Sequence, residues 1–333
     1  MKLYDIGIVG STGLVGRKIL EVLEQRKFPV GKLHLLATEK SIGTQIDFKG
    51  KTYFVEKLTA DVLSGFDFVF FSAGGPVSKE FAPIAAQKGA LVIDNSSTFR
   101  MEDWVPLVVP EVNPHKVLKH KGIIANPNCS TIQMVVALKP LHDKWKIKRI
   151  IVSTYQSVTG AGQYAVDQLE DEVHKVPMRK QKFPHQIAYN CFPHIDIFYE
   201  DGYTREELKM VNETRKIMEE PALKITATCV RIPSIGGHGE AINIEFEKPF
   251  ELEEVKKVLS SAPGVVLQDD PMQNIYPMPI WAHNRDEVFV GRLRRDETIK
   301  NGLNMWVVSD NLRKGAATNA VQIAEEYILR KSV

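Results

Sequence analysis

Cysteine is scarce in this chain, and neither sign of charge dominates. The 333 residues hold three cysteines, Cys129, Cys191 and Cys229. They cannot all pair with one another and none is spaced as CxxC, so neither a disulfide framework nor a structural zinc site is expected, and no other metal site is read. Lys and Arg number 43 against 41 Asp and Glu, a net charge of +2, which gives no electrostatic reason to expect nucleic acid or an anionic membrane as partner. Long apolar runs are also missing. FDFVFFSA at 66–73 is far too short to span a bilayer, and the N-terminal LYDIGIVG reads as a strand rather than a signal segment. These absences point to a soluble, cytoplasmic protein of a reducing compartment.

What is present suits two domains with sizeable cores, since 44% of the residues are hydrophobic. Up to about residue 125, short apolar strands (6–9, 33–37, 68–72, 91–94 and 123–125) alternate with helical segments at 14–27 and 79–88. That rhythm predicts a Rossmann-like parallel sheet covered on both faces. Beyond a helix at 130–144 come longer alternating strands at 149–155, 225–232, 241–246, 288–293 and 303–308, with helices at 162–174, 204–218 and 251–261. This predicts an α+β domain on a mixed or antiparallel sheet. A final amphipathic helix over 311–329 is expected to return to the first domain. The expected division is therefore 1–128 with 311–333 for nucleotide binding, and 129–310 for catalysis and dimerisation.

Chemistry enters at three places. The first strand runs into Gly10-Ser11-Thr12-Gly13-Leu14-Val15-Gly16 and then a helix, the context for a dinucleotide pyrophosphate at free helix N–H groups. After the second strand, Thr38, Lys40 and Ser41 offer the cation and hydroxyls that a 2′-phosphate needs. This favours NADP, while Glu39 keeps NAD open. Next, Asn126-Pro127-Asn128 leads Cys129 into a helix carrying Ile132, Val135, Val136 and Leu138. A thiol there, of reference pKa about 8.5, is stabilised as thiolate by the helix dipole. From the residues alone, Cys129 stays open between a nucleophile and a small packing residue.

The third place is Ile235-Gly236-Gly237-His238-Gly239-Glu240. Its glycines leave the imidazole little side-chain cover, as suits either a proton-transfer partner or an exposed loop histidine. The other eight histidines show no ligand spacing. Arg100 beyond a parallel strand, Arg231 ending an apolar strand, and Glu213 with Lys216 on one helix face could hold anionic substrate groups or form surface salt bridges.

Motifs over nearly the whole chain resemble the aspartate-β-semialdehyde dehydrogenase family. They are GSTGLVG (10–16), FSAGG (71–75), DNSSTFR (94–100), VVPEVN (108–113), NPNCST (126–131), QSVTGAG (156–162), NETRK (212–216), RIPSIGGHGE (231–240) and SDNLRKGAATNAVQIAE (309–325). The resemblance implies reversible, NADPH-dependent conversion of L-aspartyl-4-phosphate to L-aspartate-4-semialdehyde and phosphate through a cysteine thioester. That step leads to lysine by way of diaminopimelate, and to methionine, threonine and isoleucine. By resemblance Cys129 is the nucleophile, His238 the acid/base, and Gln156 the residue orienting the acyl group. Arg231 would anchor the substrate carboxylate and Glu213 its amino group, while Arg100 and Lys216 hold phosphate with Asn128 beside it. Cofactor positions are Gly10, Thr12, Gly13, Leu14, Val15, Thr38, Lys40, Ser41, Ser72, Gly74, Thr159, Gly160 and Asn311.

Family members are homodimers, some pairing further into tetramers. The chain departs from the family pattern at Thr159, often Ser, at Gly239, usually a small hydroxyl residue, and at Ile235 and Pro76. A reductase of N-acetylglutamyl phosphate or of an acyl-CoA would share the fold and the cysteine; DNSSTFR and the Glu213/Lys216 pair argue against it. A nucleotide-binding paralogue without activity would be expected to lack Cys129 or His238, and both are present.

Overall fold

A computed structural model of the chain describes residues 2–331. The chain divides into two compact units, one of Met1–Asn128 with Ala316–Val333, the other Cys129–Gly315.

The first unit runs β1 (Tyr4–Val9), α1 (Leu14–Gln25), β2 (Val30–Ala37), β3 (Gln45–Phe48), β4 (Lys51–Lys57), β5 (Phe68–Phe71), α2 (Gly75–Gln87), β6 (Leu91–Asp94) and β7 (Ile123–Ala125). Its seven-stranded sheet has the order β3-β4-β2-β1-β5-β6-β7. All pairings are parallel except that of β3 with β4. Every residue of β5 and β6 is buried, as uninterrupted apolar strands require when helices cover both faces. In α1, Ile19, Leu20, Val22 and Leu23 form the buried stripe, joining Ile6, Ile8, Phe68 and Phe70 in one core. Each such side chain contributes roughly 1.5–3 kcal/mol on full burial.

The apolar rhythm does not foresee β3 and β4. Their strands are short and half polar, and the turn between them uses Lys49 at φ 48° and Gly50 at φ 72°. Two left-handed residues in succession match the strand twist, but a Lys at the first position hides the usual signal.

The second unit contains α3 (Cys129–Trp145), β8 (Ile147–Gln156), α4 (Gln163–His174), α5 (Arg205–Met218), β9 (Lys224–Arg231), β10 (His238–Phe246), α6 (Leu252–Ser260), β11 (Val265–Leu267), α7 (Pro279–Ala282), β12 (Val288–Asp296) and β13 (Gly302–Ser309). Its six strands lie in the order β11-β12-β13-β10-β8-β9. The β8–β9 and β11–β12 pairs are parallel and the rest antiparallel, so the sheet is mixed. The fold class is thus the expected one. Residues 130–138 of α3 are all buried, not only its apolar stripe, which marks a helix enclosed by its own unit. Ile151 and Tyr155 of β8 stand exposed, alternating with the buried Ile150, Val152 and Thr154.

A π-helical turn (Arg313–Ala317) precedes α8 (Thr318–Lys331), whose Ala320, Val321, Ile323 and Ala324 enter the first core. The chain returns at residue 316 rather than 311. Asn311 stays with the second unit because its Oδ1 accepts from Thr159 Oγ1 at 2.9 Å and from Gly237 N at 3.1 Å. Among the described residues no helix is long and apolar enough to cross a membrane.

Candidate functional site

In the first unit the candidate cofactor residues gather at the carboxyl ends of neighbouring strands, where open α/β sheets bind ligands. Gly10 has φ +85°, and a Cβ there would lie 2.8 Å from the Ser72 backbone. A Cβ on Gly16 would stand 2.2 Å from the Gly10 carbonyl oxygen. The turn therefore packs tightly on β5 and α1 only because both residues are glycine. Gly13 at the N-cap supplies no side-chain cap, leaving helix N–H groups for an anion, next to Leu14 and Val15. Thr12 Oγ1 donates to Ser41 Oγ at 3.1 Å, tying the turn to the segment after β2. In that segment Thr38 precedes a short helical turn without capping it, Lys40 is exposed, and Glu39 pairs with Lys57 at 3.0 Å. Ser72 Oγ donates to Val9 O at 3.2 Å, and Gly74 at φ +91° has open space where a Cβ would stand. A close-approach turn and free helix N–H groups fit a dinucleotide.

Arg100 is 7% exposed in this unit. Its Nε donates to Asn126 O and its Nη2 to Asn95 O, both at 2.9 Å. Asn126 is itself fixed by Asn95 and Asn319. The guanidinium is thus held at the carboxyl ends of β6 and β7, near the buried Asn128 that closes the unit.

In the second unit, the sheet register assembles three candidates. Gln156 and Arg231 are cross-strand partners on β8 and β9. On the other side of β8, Gly239 faces Tyr155, which puts His238 next to Gln156. The expectation of a sparsely covered imidazole is corrected: His238 is fully buried as the first residue of β10. Gly236 and Gly237 form the turn that delivers it, at φ +74° and +85°. Ser157 N donates to Nδ1 of His238 at 3.1 Å, so the proton of the neutral ring sits on Nε2. That atom has no partner among the described residues. Burial, with Arg231 beside it, pushes the imidazole down to about 3, so the ring is neutral at ordinary pH.

Arg231 is 4% exposed. Its Nη1 donates to Ser157 O at 2.5 Å, and its Nε is buried without a partner among the described residues. A buried guanidinium with an unused donor is costly unless an anion meets it. Burial lowers its pKa, while the nearby Glu206 and Cys129 oppose that shift. Gly160 explains the room around these groups, since a Cβ there would meet His238 Nε2 at 3.2 Å and Arg231 Nη1 at 3.4 Å. Thr159 and Asn311 brace the same loop. Cys129 opens α3 with its thiol partly exposed, close enough to Gly315 that a Cβ there would come within 2.9 Å of its own Cβ. Glu213, 1% exposed, lies on the α5 face that also buries Met210, Thr214 and Ile217, with Lys216 half-buried one turn on.

Sequence reasoning missed five residues. Ser157 sets the His238 tautomer. Glu206 accepts from Gln156 Nε2 at 3.3 Å, and Thr154 Oγ1 receives the same nitrogen at 3.2 Å; this turns the Gln156 carbonyl away from both. Gln133 and Glu240 are buried beside His238. A usable signal existed only for Gln133, which follows Cys129 by four residues on one helix.

Comparison with known proteins identifies the family. The family model for the semialdehyde dehydrogenase NAD binding domain matches residues 5–120, and that for the semialdehyde dehydrogenase dimerisation domain matches 138–314. An aspartate-semialdehyde dehydrogenase of Aquifex aeolicus is 58% identical over 330 residues, covering 97% of each chain. Among solved structures, Vibrio cholerae aspartate semialdehyde dehydrogenase II complexed with ASA has a TM-score of 0.95 at 46% identity, covering 98% of this chain and 99% of that one. The Candida albicans enzyme with NADP has a TM-score of 0.78 at 25% identity, over the whole of both chains. With both of its units matched by the family models and a relative 58% identical over 97% of each chain, this chain belongs to the aspartate-semialdehyde dehydrogenase family.

Proposed function

We propose that the protein catalyses the reversible, NADPH-dependent reductive dephosphorylation of L-aspartyl-4-phosphate to L-aspartate-4-semialdehyde, in amino-acid biosynthesis leading to lysine, diaminopimelate, methionine, threonine and isoleucine. The observation that carries this reading is the row His238–Gln156–Arg231, in which His238 and Arg231 each keep one donor without a partner among the described residues. Cys129, its proton already released to solvent, attacks the acyl carbon as thiolate; the C–O bond breaks, phosphate leaves with the bonding pair, and a thioester remains. Arg231 binds the substrate carboxylate and Glu213 its amino group; Arg100, Asn128 and Lys216 serve the phosphate, as in the family pattern. NADPH supplies the hydride when bound. His238 holds its Nε2 proton at the oxygen that gains charge, and the Gln156 amide orients the acyl group. When the carbonyl re-forms, the C–S bond breaks and sulfur leaves as thiolate, favoured by the Arg231 charge.

For the cofactor, NADP is favoured by Lys40, Thr38 and Ser41, with Glu39 engaged by Lys57. Thr159, Gly160 and Asn311 complete the cofactor set in the second unit. The exposed Ile151 and Tyr155, on a sheet in the domain matched as a dimerisation domain, support a homodimer, with a tetramer as the larger assembly. We place the protein in the cytoplasm.

Initial rates of NADPH formation from the purified protein, semialdehyde and phosphate test the reading. Phosphate-dependent turnover preferring NADP is expected. Preference for N-acetylglutamate semialdehyde, or turnover indifferent to phosphate, would overturn it.

A further inference from the structure

Cys129 begins α3, and Gln133, four residues on, lies one turn along the same helix face. Gln133 is 1% exposed. Its Nε2 donates to the backbone oxygen of His238 at 3.3 Å. The same amide faces the side chain of Glu240, which shares a face of β10 with His238. Glu240 is fully buried, with neither carboxyl oxygen in hydrogen-bonding geometry with a partner among the described residues. Burial raises its pKa well above the usual carboxylate range, which favours the neutral acid.

An amide and a carboxyl enclosed between a helix and a sheet are an expensive way to fill space. Incompletely satisfied polar groups are costly to bury, and apolar residues would pack there without that cost. What the pair adds is direction. Neighbouring Ile132, Val135 and Val136 hold α3 by dispersion, which tolerates small axial slips, whereas a hydrogen bond to one backbone oxygen does not. That oxygen belongs to His238, and the helix turn carrying the amide also carries Cys129.

We propose that Gln133 is a positioning residue: braced by Glu240, its side-chain amide ties the Cys129 end of α3 to the His238 end of β10 and so fixes thiol and imidazole relative to each other. The inference rests on the reading of Cys129 and His238 as the reacting pair. Gln133, 1% exposed, acts through His238 and Cys129 rather than on the substrate itself.

Gln133→Met keeps the length and removes the donor. Its kcat falls 10- to 100-fold, KM for the semialdehyde stays within twofold, and the inflection in the pH profile of Cys129 alkylation by iodoacetamide moves upward. Gln133→Glu keeps the shape and has a donor only while protonated. It retains a larger share of wild-type kcat than Gln133→Met at pH 6 and loses that advantage by pH 8. If folded variants, counted by Cys129 titration, match wild type in kcat and alkylation, the proposal is wrong. If neither variant folds, Gln133 serves the fold instead, which also overturns it. Wild type assayed in parallel separates this from failure of the functional reading, in which wild type itself would not turn over the semialdehyde.

Discussion

The Ser157 backbone N–H donates to Nδ1 of His238 at 3.1 Å, and this single bond decides which ring nitrogen carries the proton. Because Nδ1 must accept, Nε2 is the donor, and it is the buried nitrogen without a partner among the described residues. The site presents a neutral imidazole as a fixed hydrogen-bond donor.

The same burial sets a pH dependence of stability. His238 is pushed from the ordinary 6.5 down to about 3. Between those values the unfolded chain binds a proton there and the folded chain does not. Stability from this residue is therefore fully present above pH 6.5 and is lost as pH falls toward 3, by up to about 1.4 kcal/mol per pH unit. Urea unfolding of wild type and His238→Gln at pH 8, 6 and 4.5 should show a free-energy difference that narrows with acidification. A difference independent of pH would contradict the buried neutral ring.

Gly160 is required by proximity. Its Cβ would press on His238 Nε2 and Arg231 Nη1 at 3.2 and 3.4 Å. Gly160→Ala is expected to lower kcat/KM by about tenfold or more, equivalent to about 1.4 kcal/mol, with Tm changed by only a few degrees. Steady-state kinetics beside thermal unfolding checks this, and unchanged kcat/KM would remove Gly160 from the site.

The departure at Gly239 has a local cause. A Cβ there would lie 2.4 Å from the Trp306 ring, whose Nε1 is held by Pro277 O at 2.9 Å. Gly239→Ser should destabilise by about 1–3 kcal/mol through overpacking, lowering Tm by several degrees. Gly239→Ser with Trp306→Leu should recover most of the loss. Absence of recovery would separate the glycine from the tryptophan.

Much of this was readable in the residues, and the unread parts have specific reasons. Strands β1, β5, β6 and β7 announced themselves as uninterrupted apolar runs, and the Asn-Pro-Asn entry located Cys129 at a helix start. The hairpin β3–β4 escaped because Lys49-Gly50 is a weak turn signal between half-polar strands. The glycines before His238 suggest openness in the sequence, whereas they form a turn that drives the ring inward. Glu240 and Glu206 carry no local mark, since their burial arises from cross-strand and helix packing at long sequence separation. Gln133 was legible only through its spacing from Cys129.

Cofactor preference is tested at Lys40, whose neighbour Glu39 is occupied by Lys57. Lys40→Ala should raise KM for NADP by about 10- to 100-fold, the loss of a charge-assisted contact worth about 1.5–3 kcal/mol, and leave KM for NAD nearly unchanged. Parallel titrations with both cofactors decide it. Equal effects on the two would detach Lys40 from the 2′-phosphate.

The central claim is that Cys129 forms a transient aspartyl thioester. Its most direct test is phosphate-dependent NADPH formation by Cys129→Ala, measured with NADPH binding on the same preparation. The account predicts a loss of at least about 10⁴-fold in turnover with NADPH binding preserved. Turnover retained in that variant would contradict it.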